Sequence, residues 1–100
     1  MLNERMIILR KIKYSIEVTT ELVAKRIFVY ENFGLSTSEL ERQFGICRRS
    51  CNRAVRAFKE GRKINMNRNS KEKFMKMINK ADKMLLEIYE DVFVEAVDNM

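Results

Sequence analysis

Apolar positions along the chain recur mainly at helical intervals, and short polar or glycine signals cut them into segments. Leu22, Val23, Ile27, Phe28 and Tyr30 form one such face, opened by Thr19 or Thr20 as cap with Glu21 in the first turn. Gly34, just past Phe33, is placed to end that helix in the left-handed region. Ser36 opens a second helix: its hydroxyl can accept an early amide proton while Glu39, three residues on, reaches back. The spacing predicts a helix over Thr37–Phe44, with Leu40 and Phe44 on one side and Gly45 as its stop. A third helix is expected over residues 48–60, with Cys51, Ala54, Val55 and Phe58 inward and Gly61 at its end. Asn69 as cap, with Glu72 in the box position, predicts one long helix over residues 70–98. Its stripe is Phe74, Ile78, Ala81, Leu85, Ile88 and Val92, in steps of 4, 3, 4, 3 and 4, which is heptad spacing.

The first 19 residues read two ways. Ile12, Tyr14, Ile16 and Val18 alternate with polar residues, the period of a strand. Leu9, Ile12 and Ile16 also continue the helical face of Val23 and Ile27, so one long helix to Asn32 fits as well. No second strand candidate occurs elsewhere, which favours the helix. The expected architecture is therefore all-α: an N-terminal helix or arm over 1–19 and a three-helix unit over 20–61. A basic link over 62–69 and an amphipathic helix over 70–98 complete it.

Composition narrows the chemistry. Proline is absent and glycine occurs three times in 100 residues, which disfavours a turn-rich β fold. Histidine is absent too, which removes Cys/His zinc fingers, Ser/His/Asp triads and any histidine base. Cys47 and Cys51, one turn apart, make neither a zinc site nor a disulfide framework and read as core or cap residues. No catalytic residue, metal or cofactor is expected, and the chain does not read as an enzyme. No apolar run exceeds the four residues 6–9, so neither a membrane span nor a secretory leader is read, and a reducing cytoplasmic location is expected.

Charge is the positive clue. The net charge is +6, but its distribution is uneven. Residues 1–41 balance, residues 42–83 carry 14 basic against three acidic side chains, and residues 84–100 carry five acids and no base. So dense a positive block is the footprint of a polyanion binder. Within it, Arg49, Asn52, Arg53 and Arg56 recur at i, i+3, i+4 and i+7, one stripe away from Cys51, Val55 and Phe58. Arginine can grip guanine with two prongs, and asparagine suits adenine. Helices that read bases do so near their N-termini, so Arg48, Arg49, Asn52 and Arg53 are the base-reading candidates. Arg56, Lys59, Arg62 and Lys63 lie further along and suit phosphates.

Residues 24–59 resemble the three-helix helix-turn-helix of resolvase- and transposase-type DNA-binding domains. The resemblance rests on Gly34-Leu35-Ser36, Glu39-Leu40, Phe44-Gly45-Ile46 and Arg53 with Val55. It departs at Glu41, where such domains usually carry a small residue, and at Cys47, where Ser or Thr often caps the recognition helix. It implies a double-stranded DNA partner, with RNA as the alternative polyanion. The implied role is a small regulator, or a recombination or packaging accessory, of a phage or mobile element. The rival reading is a phage-type module that binds and modulates a host protein, its acidic C-terminal end being one candidate contact. The stripe of Phe74, Ile78, Leu85, Ile88 and Val92 is expected to drive assembly into a homodimer or higher oligomer.

Overall fold

The computed structural model describes residues 17–100. They are all-helical, in the order α1 (Thr20–Asn32), α2 (Thr37–Phe44), α3 (Arg48–Lys59), α4 (Arg68–Tyr89) and α5 (Asp91–Asp98). Of the expected N-terminal helix or arm, residues 1–16 lie outside the described residues. Thr19 is extended (φ −120°, ψ 164°) and caps α1 by accepting from the Leu22 amide at 3.1 Å. A single helix running through position 19 into α1 is therefore corrected.

Local chemistry sets the ends of the first three helices. Past Phe33, Gly34 adopts φ +85°, and the Leu35 amide folds back onto the Tyr30 carbonyl at 2.9 Å, burying Leu35. Ser36 accepts from the Glu39 amide, as its spacing predicted. At Gly45 the backbone takes φ +73°, a left-handed turn that strains any side chain. That turn redirects the chain from α2 into α3.

Helix α1 stands between α3 and α4. Arg26, Tyr30 and Phe33 share one of its faces and touch Asp82 of α4, then Tyr89 and Phe93. Phe28, about 200° round the helix from Arg26, touches Phe58 at a ring distance of 6.2 Å, with the Lys59 ammonium 5.8 Å from its ring centre. One continuous core joins all five helices, from Val23, Ile27 and Leu40 through Cys51 and Ala54 to Phe74, Ile78, Leu85 and Phe93.

Two expectations about the C-terminal region are corrected. The helix begins earlier, because Asn67 rather than Asn69 caps it by accepting from Ser70. It also breaks at Glu90, which adopts φ +49° and ψ −122°. The break turns α5 so that Phe93 is fully buried, its ring edge-on to Phe33 at 5.7 Å. The stripe is likewise divided. Phe74, Ile78 and Leu85 are buried inside this chain, which excludes them from a seam between copies. Ile88 and Val92 stay 61% and 63% exposed. The physical reason is that α1 and α2 together supply the cover that a twin helix was expected to supply.

Candidate nucleic-acid interface

The candidate site is the outer face of α3. Cys51, Ala54 and Ala57 are buried against the core, with Val55 and Phe58 half-buried beside them. Arg48, Arg49, Asn52, Arg53, Arg56 and Lys59 are all exposed. At 3.6 residues per turn they fall within an arc of about 140°, so the helix has one apolar side and one cationic side. Arg49 and Arg53 have no ion partner among the described residues.

Arg48 differs from its neighbours in being anchored. Its guanidinium donates to Ser38 Oγ at 3.3 Å, and its backbone amide donates to Glu41 Oε2 at 2.9 Å. The Glu41 carboxylate thus reaches across from α2 to satisfy the first orphan amide of α3. Cys47 stands at the N-cap and makes no such side-chain bond itself. Its thiol is nevertheless held below its ordinary pKa, chiefly by the Ser50 and Arg49 amides. The two departures from the resembled motif are complementary, since Glu41 performs the capping that Cys47 does not. Sequence spacing left Glu41 without a role; an acid seven residues before an uncapped arginine was the available signal.

Glu41, Cys47, Arg48, Arg49 and Asn52 line one shallow depression at the N-terminal end of α3. The structure therefore brings three of the four base-reading candidates together, with Arg53 one turn beyond Arg49 on the same face. The phosphate candidates divide. Arg56 and Lys59 continue the α3 face, although Arg56 lies 3.6 Å from Glu60. Arg62 also pairs with Glu60, its Nε donating at 2.8 Å. Arg62 and Lys63 line a separate groove with Glu17, Thr20, Glu21 and Lys71, where the Ile64 amide donates to Thr20 Oγ1 at 3.0 Å. They sit at the far end of α3 from Arg48, about 18 Å along the axis at 1.5 Å per residue.

Among the described residues no helix is long and apolar enough to cross a membrane. Comparison with protein-family models, with curated proteins and with solved structures found no match to this chain.

Proposed function

We propose that this protein binds double-stranded DNA in a sequence-dependent way, with α2, the Gly45 turn and α3 acting as a helix-turn-helix. In that reading α3 lies in the major groove. Arg49, Asn52 and Arg53 reach base edges from its N-terminal half, and Arg56 and Lys59 meet the backbone. The observation that carries the reading is the exposed Arg49–Asn52–Arg53 face, where neither arginine is neutralised by a neighbour. A face kept merely for solubility gains from mixed signs, whereas no acid occurs between Arg48 and Lys59. A small regulator, or a recombination or packaging accessory, is the matching cellular role.

The test is selection from a random duplex library with the full chain, read at two salt concentrations. A selected motif and a steep fall of log K with log salt are expected. Arg49→Ala and Arg53→Ala should each cost about 1–3 kcal/mol against that motif and relax its sequence preference. Lys59→Ala should weaken all sequences about equally. Unchanged binding by both arginine variants would turn the assignment toward the rival module that binds a protein.

A further inference from the structure

Four lysines form a second cationic surface. Lys73, Lys76, Lys80 and Lys83 are exposed on α4, in steps of 3, 4 and 3, about half a turn round from the buried Phe74, Ile78 and Leu85. None of the four has an ion partner among the described residues. Just before them the helix behaves otherwise: Arg68 pairs with Glu72, and Lys71 lies 3.6 Å from Glu17. The row ends where the acids begin, at Glu87.

Position and residue type both matter. Because α1 stands between α3 and α4, the lysine row faces away from α3. Helix axes pack about 8–10 Å apart, so the two cationic surfaces lie on opposite sides of a body about 20 Å thick between outer axes. Duplex DNA keeps its direction over about 500 Å, so a duplex seated on α3 does not curl round to reach α4. The chemistry differs as well. The α3 face carries forked arginines and an asparagine, groups that read base edges, whereas the α4 row carries only lysines. Flexible point charges recurring every 4.5–6 Å, at about 1.5 Å of rise per residue, suit a backbone with one phosphate charge per roughly 1.7 Å of duplex and carry no sequence information.

We infer that the lysine row of α4 grips the backbone of a second DNA segment, so that one molecule bridges two duplexes. This rests on the reading of α3 as the first duplex site. The experiment immobilises a duplex carrying the selected motif, loads it with the full chain, and adds a fluorescent duplex of unrelated sequence. Wild-type protein is expected to capture the second duplex. The variant Lys73→Gln/Lys76→Gln/Lys80→Gln/Lys83→Gln should keep its helical circular dichroism, load the first duplex within about twofold, and lose capture by about tenfold or more. The salt exponent of capture should fall by about 3–4, near 0.9 for each phosphate that is no longer neutralised. Equal capture by the variant overturns the inference, since bridging would then run through another surface. Sequence-specific loading without capture by wild type also overturns it, and retention of a labelled oligoglutamate peptide in that arm assigns the row to an acidic protein partner. Failure of the α3 reading looks different: loading itself would lack sequence preference and would not respond to Arg49→Ala or Arg53→Ala.

Discussion

The phenol of Tyr30 donates a 2.6 Å hydrogen bond to the fully buried carboxylate of Asp82, 52 residues further along the chain. Arg26, one turn before Tyr30 and 7% exposed, donates to the same carboxylate through Nε at 3.2 Å. These bonds join the first described helix to the fourth through a mainly apolar core. A buried carboxylate is costly unless it is paired, and here an arginine and a phenol both serve it. Removing the acid strands a buried guanidinium. Asp82→Ala should therefore destabilise the fold by about 3–5 kcal/mol, and Tyr30→Phe by about 1.5–3 kcal/mol. Urea unfolding midpoints check both. A cost for Asp82→Ala no greater than that of an exposed alanine substitution would show that the cluster does not hold α4 to α1.

The same pair of residues predicts a limit on alkaline stability. Burial, with the Asp82 charge beside it, raises the Tyr30 pKa well above its ordinary 10.0. The folded state thus holds the phenolic proton more tightly than the unfolded state does. That stability is fully present below pH 10 and is lost as pH rises above it, because only the unfolded chain then ionises readily. Between pH 9 and 11 the wild type should lose more stability than Tyr30→Phe, whose lysines titrate alike. Parallel curves for the two proteins would contradict this.

The cap of α3 supplies a third test. With Glu41 replaced by Ala, the Arg48 amide loses its acceptor, and Cys47 offers none. The cost should be about 1 kcal/mol. Adding Cys47→Ser places a hydroxyl at the N-cap, where it accepts from the Arg49 or Ser50 amide, a different orphan donor, and should offset the loss by a similar amount. In a wild-type Glu41 background Cys47→Ser should stabilise about equally. Because the two groups serve different amides, their effects should add in a double-mutant cycle. A cost for Glu41→Ala no greater than that of an exposed alanine substitution would mean that Glu41 is not a cap.

What the sequence made legible was what local chemistry decides. Thr19, Ser36, Gly34, Gly45 and Gly61 mark helix ends because a cap or a left-handed residue acts within four positions of itself. The cationic face of α3 was legible for the same reason, helical period plus charge. Three features depended on distant partners. Asp82 counted only as one acid in a basic block, because Arg26 and Tyr30 are remote in the chain. Glu41 looked like a misfit until its carboxylate met Arg48. The break at Glu90 carries neither glycine nor proline; burial of Phe93 against Phe33 accompanies it, and no local signal encodes that. The heptad stripe misled because period identifies a buried face without saying what covers it.

Any self-association through residues 68–100 has to use the surface that the fold leaves uncovered. Phe74, Ile78 and Leu85 are inside the chain, so among the described residues a seam between copies has Ile88, Val92, the part-exposed Tyr89 and the terminal Met100 to use. Ile88, Tyr89 and Val92 lie at the corner where α4 meets α5, beside Glu87, Glu90 and Asp91. Ile88→Glu with Val92→Glu should leave the unfolding midpoint nearly unchanged, because both side chains are more than half exposed in the single chain. Leu85→Ala should instead cost about 2–5 kcal/mol, as a core truncation does. The double glutamate variant is expected to sediment as a monomer under conditions where the wild type pairs, and to lose affinity for two adjacent half-sites more than for one. A stable interface draws on about 20–30 residues a side, far more than these few apolar side chains, so pairing is expected to be weak and concentration-dependent. Tight wild-type dimers that survive both glutamates would place the interface elsewhere on the molecule.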